Sequence, residues 1–242
     1  MVQFIKAKVP TRIDMLANYI GNSGETSAGC VTHQFCNQSA LAIMECGGNK
    51  EEAELIRPFL AQINEGIVWA DGGYRNITHF FNPLTQKGLW NLPSAAAGFR
   101  QFIRQAIKYG QKANLAKAMF YTGAAVHLLQ DICVPHHSCN LLFSGHAEYE
   151  HWVEGKLDDY PLLPENKRLA VGENFMNMFF KNALLSTEYI DFVAERATER
   201  EYKIATAILL PLAQYSTAKM FVWIVKNLVW IPQTAEHNRV AL

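Results

Sequence analysis

Residues 127–150 read HLLQDICVPHHSCNLLFSGHAEYE, and this stretch carries two pairs of metal-ligand side chains at helical spacing. His127 and Asp131 are four residues apart, and so are His146 and Glu150. Side chains four residues apart lie on one face of an α-helix, with about 5–6 Å between their Cβ atoms. An imidazole and a carboxylate held in this way can bind a single divalent ion.

The segment between the two pairs supplies a further imidazole. Val134-Pro135 interrupts the helical pattern, because proline removes a backbone donor and disfavours helix at the residue before it. We expect His136 and His137 to lie on a turn there, where one of them can reach the second pair. Six of the eight histidines lie at His79 or within residues 127–151, and this concentration indicates a metal site.

The rest of the chain predicts an all-α, single-domain, multi-helix bundle. Half of the 242 residues are hydrophobic, which is enough for one large core. Strand-like alternation is nearly absent and 3.6-residue periodicity recurs. We predict one domain over residues 1–242, in which residues 1–30 are a candidate N-terminal extension or propeptide. The predicted helices cover residues 11–20, 31–46, 50–65, 94–109, 113–132, 143–158, 170–185, 187–197 and 199–230.

Composition argues against several classes of protein. Lys and Arg total 22, as do Asp and Glu, so no net charge draws the chain to nucleic acid or to an acidic membrane. The five cysteines have no framework spacing, which favours free buried thiols in a reducing compartment. The first residues lack the apolar core of a secretory leader. Residues 204–232 are strongly apolar, but Pro211 and Lys219 interrupt them, which favours a buried helix over a membrane span.

The candidate ligands divide into two groups. His137, His146 and Glu150 form a self-sufficient trio, whereas His127 and Asp131 need partners from elsewhere in the chain. Zinc takes imidazole and carboxylate ligands, while magnesium and calcium prefer oxygen-rich sets. The sequence therefore favours zinc.

The missing partners are expected in the long irregular stretch of residues 69–93, WADGGYRNITHFFNPLTQKGLWNLP. Loops of this length inside a compact domain are commonly functional. Asp71 and His79 are the candidate ligands within it. Its large aromatic residues can wall a pocket or pack in the core, and the sequence leaves both readings open.

Three motifs together resemble those of the zinc-dependent phospholipase C family. They are W-A-D…H-F-F-N-P from residue 69, H-x-x-x-D-x-x-x-P-x-H from His127 to His137, and H-x-x-Y-E from His146 to Glu150. The likeness covers about residues 31–155, and it implies an all-helical fold with a trinuclear zinc site. The related fungal single-strand nucleases usually end the last motif in Asp, so Glu150 favours the phospholipase side.

The resemblance also implies a set of ligands. Asp71, His79, His127 and Asp131 would hold one zinc ion, and the trio would hold a second. Asp131 would bridge to a third ion, to which His33 would also bind. His136 would then either support the site or be exposed. The complete implied ligand set is His33, Asp71, His79, His127, Asp131, His137, His146 and Glu150.

The third zinc ion is the point at which this sequence departs from the family. Family members usually hold it with the α-amino and carbonyl groups of an N-terminal Trp, but no Trp precedes His33 here. Without processing near residues 20–24, no free amine is expected to reach the metal. Cys30 lies three residues before His33, so a substituting thiolate and a buried free thiol are both open readings. We therefore expect two or three zinc ions.

In functional terms, the resemblance implies a zinc-dependent phosphodiesterase that hydrolyses the bond between glycerol and phosphate with metal-activated water. Asp71 would orient or deprotonate that water, and Glu148, Tyr149 and Tyr74 are candidate substrate contacts. Gly72-Gly73 replace the headgroup residues of the phospholipases, so choline specificity is not implied. A nuclease or other metallohydrolase on the same scaffold, and a non-catalytic metal-stabilised binding protein, stay open.

The resemblance also bears on partners and compartment. We expect a phospholipid or other phosphoester substrate, transient contact with a membrane surface, no specific nucleic acid partner, and a monomer. Family members are usually secreted, whereas this sequence predicts no leader, so the compartment stays open.

Overall fold

Helices make up the regular structure of the residues that the computed structural model describes, which are 30–160, 169 and 174–228. Within these ranges no strand is present, and the isolated bridge between Asn82 and Lys87 is the sole β pairing. The all-α prediction is confirmed. The α-helices are α1 (Val31–Cys46), α2 (Lys50–Ile56), α3 (Leu60–Asp71), α4 (Ala95–Gly110), α5 (Leu115–Asp131), α6 (Pro135–Cys139), α7 (His146–Glu154), α8 (Phe175–Thr187) and α9 (Glu199–Leu228).

The helix predicted over residues 50–65 is wrong, because two helices occupy this segment. α2 ends at Ile56, a 3-10 turn spans Arg57–Phe59, and α3 begins at Leu60. Pro58 lies inside the turn, where its missing N–H and its ring break the α-helical hydrogen-bond ladder. α3 then continues beyond the predicted end, as far as Asp71.

The helix predicted over residues 187–197 is also wrong. α8 ends at Thr187, and the segment that follows holds only the 3-10 turn Ile190–Phe192. Val193 is fully buried there and packs in a hydrophobic cluster with Phe192, so tertiary packing overrides the local helical pattern. The helix predicted over residues 11–20 lies outside the described residues.

α5 lies at the centre of the bundle and packs against α3, α4 and α9. Its contact with α3 depends on two glycines that let the backbones touch. A Cβ on Gly123 would lie 1.9 Å from the carbonyl oxygen of Ile63, and a Cβ on Gly66 would lie 1.9 Å from that of Phe120. This crossing fixes α3, whose last residue is Asp71, against the helix that carries His127 and Asp131.

α9 is the one helix among the described residues that is long and apolar enough to cross a membrane. In the structure, 67% of its apolar window is buried, and the helix packs against α1 and α5. The prediction of a buried helix is confirmed. All five cysteines are free, as predicted, but only Cys36 and Cys133 are buried, and Cys46 is exposed.

We expect Gly123→Ala to lower the free energy of unfolding by about 1–3 kcal/mol, which is typical of overpacked sites. The added Cβ would collide with the backbone of Ile63, which cannot rotate away. Gly155→Ala is the control, because a Cβ there meets its nearest atom at 3.7 Å. Equilibrium urea unfolding measures both variants, and equal stability of the two would contradict the close crossing.

Candidate metal centre

All eight predicted ligands lie around one end of the bundle, in neighbouring groups of donor atoms. Three combinations have donor atoms within 4.8 Å of one another: His33, His127 and Asp131; Asp71, His79 and His127; and His137, His146 and Glu150. Because the first two combinations share His127, we call them together the α5 group. We call the third combination the α7 group.

The α5 group is organised around the carboxylate of Asp131, which is buried. Its Oδ2 lies 2.9 Å from Nδ1 of His79 and 3.1 Å from Nε2 of His127. These two ring nitrogens are themselves 3.2 Å apart. On the other side of the carboxylate, Oδ1 lies 3.3 Å from Nε2 of His33. Asp71 approaches from α3, with its Oδ1 at 3.9 Å from Nε2 of His127.

His79 makes a hydrogen bond to the backbone, and this bond determines the tautomer of its ring. Its Nε2 lies 3.1 Å from the carbonyl oxygen of Ala70, which can only accept a hydrogen bond. Nε2 therefore carries the proton, and Nδ1 presents its lone pair to Asp131 Oδ2. Two acceptors held 2.9 Å apart repel each other unless a proton or a cation lies between them or beside them. This arrangement fits a metal ion.

The α7 group also brings imidazole nitrogens and a carboxylate oxygen close together. All three of its residues lie within residues 137–150. Nε2 of His146 lies 3.1 Å from Nε2 of His137 and 3.0 Å from Oε1 of Glu150. Nε2 of His137 lies 3.4 Å from the same carboxylate oxygen. The spacing of four residues between His146 and Glu150 places both on one face of α7, as the sequence predicts.

The pKa is raised for two of the imidazoles and lowered for two others. Burial lowers the pKa of His127, but the charge and hydrogen bond of Asp131 outweigh it and raise the pKa overall. Burial is likewise outweighed at His146, where the carboxylate of Glu150 raises the pKa. The pKa values of His33 and His79 are lowered, mainly by burial.

The pKa values of the two carboxylates, Asp131 and Glu150, are both lowered. Burial would raise the pKa of Asp131, but His127 and then His137 outweigh it and hold that pKa well below its ordinary value. The carboxylate of Glu150 is only partly desolvated, and the charge of His146 and the hydrogen bonds from both histidines of its group lower its pKa. Both carboxylates are therefore anions that require positive charge beside them.

Gln130 holds His33 in place, and sequence reasoning missed it. Its Oε1 accepts a hydrogen bond of 2.7 Å from Nδ1 of His33, which leaves Nε2 free to face Asp131. Its Nε2 donates to Oδ1 of Asn37 at 3.2 Å and to Oγ1 of Thr217 at 2.9 Å. The sequence does show a glutamine beside Asp131 in a largely apolar helix. The residues to which this glutamine is hydrogen-bonded lie far away in the sequence, so no local pattern indicates its role.

The segment that joins the two groups is a short helix and not the predicted turn. α6 spans Pro135–Cys139, with Pro135 at its first position, where proline is favoured. His136 and His137 both lie on it. Gly145 then precedes α7 with φ +91, and a Cβ there would meet the backbone of Glu195 at 2.8 Å. The glycine therefore allows His146 to begin α7.

His136 supports the α7 group and is not exposed. It is buried, its Nε2 donates to the carbonyl oxygen of Ser144 at 3.1 Å, and its ring stacks on that of His146 at 4.9 Å. Burial, followed by the charge of His146, lowers the pKa of His136 to about 4. It is therefore neutral at physiological pH, and it lies outside every donor combination.

Both groups border one cavity of about 760 Å³, a size typical of small-molecule sites. Glu148 lines it, as does Tyr149, which is itself buried and hydrogen-bonded to Thr206. Tyr74 is 71% exposed and lies outside the lining. Phe80 is fully buried against the ring of His137, so it belongs to the packing beneath the site.

Cys30 lies at the edge of the α5 group. Its Sγ is 3.6 Å from Oδ2 of Asp71, and the thiol lines the cavity. Burial, together with the charge of Asp71, raises the pKa of this thiol in the metal-free protein.

A helical bundle that gathers imidazoles and carboxylates into adjacent groups on an open cavity has the ligand types of a zinc-binding protein. Residues 32–203 match the family model described as zinc dependent phospholipase C. The match covers well over half of the sequence, so the chain belongs to the zinc-dependent phospholipase C family.

Two relatives named phospholipase C agree with this assignment. Phospholipase C from Clostridium novyi is 25% identical over 205 residues, which are 74% of this chain and 51% of that protein. Phospholipase C from Clostridium perfringens is 24% identical over 195 residues, or 70% of this chain and 47% of that protein. This chain therefore spans about half the length of these relatives.

Solved structures show the same fold. The alpha toxin from Clostridium absonum aligns with a TM-score of 0.75 at 18% identity, over 84% of this chain and 65% of that one. The alpha-toxin from an avian strain of Clostridium perfringens gives a TM-score of 0.73 at 17% identity, over 85% of this chain and 66% of that one.

We expect His137→Ala to remove one equivalent of zinc per chain, because the α7 group would keep only His146 and Glu150. His151→Ala is the control, since His151 lies exposed on α7, the helix of His146 and Glu150, and outside every donor combination. Elemental analysis of the zinc-loaded proteins measures both variants. Unchanged stoichiometry in His137→Ala would refute the role of the α7 group.

We expect Gln130→Met to weaken zinc binding about 10–100-fold at the ion beside His33, as is usual when a residue that orients a ligand is lost. The ring of His33 would lose the acceptor that fixes its tautomer. Gln111→Met, at an exposed position, is the control. Competition with a zinc-binding dye measures the affinity, and equal affinity in both variants would show that Gln130 does not hold a zinc ligand.

Proposed function

We propose that this chain is a zinc-dependent phosphoric ester hydrolase of the phospholipase C type, which cleaves the glycerol–phosphate bond of a phospholipid. The observation that carries the proposal is the convergence of two donor groups on one cavity. Membership of the family supports the reaction class. The relatives are longer than this chain, so their activities do not by themselves assign its substrate.

The residues that would hold zinc follow from the two groups. In the α5 group, Asp71, His79, His127 and one oxygen of Asp131 supply four ligands. In the α7 group, the imidazoles of His137 and His146 and the carboxylate of Glu150 would supply three ligands. The second oxygen of Asp131 and Nε2 of His33 supply part of a third site, so we propose three ions.

An open face distinguishes this centre from a purely structural one. The side chain of Asp71 is 38% exposed and that of Glu150 is 47% exposed, and both border the cavity. Structural zinc sites are closed, whereas catalytic sites keep a position open for water or substrate. The open face favours an enzyme over a metal-stabilised binding protein.

Asp71 is the carboxylate best placed to act on a water molecule. It is the last residue of α3 and faces the cavity, whereas Asp131 is almost fully enclosed by imidazoles. We assign to Asp71 the orientation of the attacking water and the acceptance of its proton. When bound, zinc supplies Lewis-acid polarisation of the phosphoryl group and a more acidic water. The buried rings of His136 and Phe80 pack against His146 and His137, respectively, and hold these two imidazoles in place.

The cavity wall favours a lipid over a nucleic acid. Among the described residues that line it there is no Lys or Arg, whereas Glu148, Glu154 and Glu195 add negative charge. Nucleic-acid binding depends on neutralising successive phosphates with basic side chains. Leu209 and Leu210 provide an apolar wall instead. A single phosphodiester with an uncharged or cationic headgroup fits these surroundings better than a polyanion.

Contact with a membrane surface is part of the proposal. Phe143 lines the cavity and is 46% exposed, and Leu141, two residues earlier, is 37% exposed. Exposed apolar side chains beside a cavity can enter the interface of a bilayer. We propose that a monomer makes this contact transiently while it takes up substrate.

Hydrolysis of phosphatidylcholine vesicles, single-stranded DNA and a phosphomonoester, with zinc and after chelation, tests the proposed function. We expect zinc-dependent hydrolysis of the phospholipid and little reaction with the other two substrates. Asp71→Asn should lower the phospholipid rate about 10²–10⁴-fold, as for loss of a general base. Asp159→Asn, at an exposed position outside the cavity, is the control.

Two results would contradict the proposal. Equal rates for zinc-loaded and metal-free protein on all substrates would exclude a zinc-dependent hydrolase. Preferential cleavage of single-stranded DNA would replace the phospholipase with a nuclease.

A further inference from the structure

The ion beside His33 lacks ligands if only the predicted residues are counted. His127 belongs to both combinations of the α5 group, but its Nε2 has one lone pair and faces Asp131 Oδ2 and His79. Once that nitrogen serves the first ion, the second has only His33 Nε2 and Asp131 Oδ1. Zinc sites use at least three protein ligands. A further donor is therefore required on this side of the cluster.

Cys30 is the donor that the structure offers. Its backbone carbonyl accepts the first hydrogen bond of α1 at 3.0 Å, so it lies one helical turn before His33. Its side chain makes no hydrogen bond to the start of α1, as a capping residue would, and contacts Asp71 Oδ2 instead. The requirement of helix capping does not explain this orientation.

Two contacts on this side of the cluster have the separation expected of neighbouring metal ligands. With zinc bonds of about 2.3 Å to sulfur and about 2.0 Å to nitrogen or oxygen, tetrahedral ligands lie about 3.5 Å apart when one is sulfur and about 3.3 Å apart otherwise. Cys30 Sγ and Asp71 Oδ2 are 3.6 Å apart. His33 Nε2 and Asp131 Oδ1 are 3.3 Å apart.

We propose that Cys30 is a thiolate ligand of the ion beside His33, where it would join His33 Nε2 and Asp131 Oδ1 as the third protein ligand. The proposal rests on the proposed zinc-dependent function. On metal binding the S–H bond breaks, a metal–sulfur bond forms and the proton passes to solvent. The thiol belongs to none of the three donor combinations, and it contacts them through Asp71.

Cobalt substitution tests this proposal without an activity assay. Co²⁺ bound to a thiolate has a sulfur-to-metal charge-transfer band in the near ultraviolet, which imidazole and carboxylate ligands do not give. We expect this band in the 242-residue chain, verified by mass, after loading with Co²⁺. Cys30→Ser should abolish it and lower the affinity for one zinc equivalent at least about 10-fold. Cys46→Ser, at an exposed position, should keep the band.

A folding control and three outcomes complete the test. Serine is a favoured residue before a helix, so the metal-free Cys30→Ser protein should keep its helicity by circular dichroism. Cobalt binding without the band, or a band that persists in Cys30→Ser, would overturn the role of Cys30 and leave the proposed function intact. Failure of the wild-type chain to bind either metal would overturn both.

Discussion

The buried carboxylate of Asp131 is the constraint on which the rest of the site depends. It is 3% exposed and lies at the last residue of the central helix, where the helix dipole adds further negative potential. A buried, ionised carboxylate is very costly unless it is paired. Three imidazoles from α1, α5 and the segment after α3 surround it. The packing of these elements is therefore coupled to the charge of a single group.

This coupling explains why structural and functional features share residues. The glycine crossing of α3 and α5 brings Asp71 near His127, and the network of Gln130 fixes the ring of His33 from the side of α9. These contacts hold lone pairs towards one another at distances at which they repel. A divalent cation relieves that repulsion and compensates the carboxylates. The carboxylates therefore favour positive charge at this point of the fold, which a divalent cation would supply when bound.

Local spacing was sufficient to predict the parts of the structure that depend on a single helix. The pairs His127–Asp131 and His146–Glu150 follow from helical periodicity, and the bounds of α1 agree with the structure. Where contacts are distant in sequence, the sequence was a weaker guide. The hydrogen bond from His33 to Gln130 joins residues 97 positions apart, and no local pattern contains it. Pro58 is a local signal for the break between α2 and α3. The irregular segment after Thr187, in contrast, depends on the burial of Val193 in a hydrophobic cluster whose members are distant in sequence.

The anomalous diffraction of zinc in a crystal of the zinc-loaded protein tests the central claim most directly. The account predicts peaks at the zinc absorption edge within both donor groups, at about 2.0–2.2 Å from the imidazole and carboxylate atoms. Zinc peaks found only away from this cavity, with His127, Asp131 and His146 uncoordinated, would contradict it.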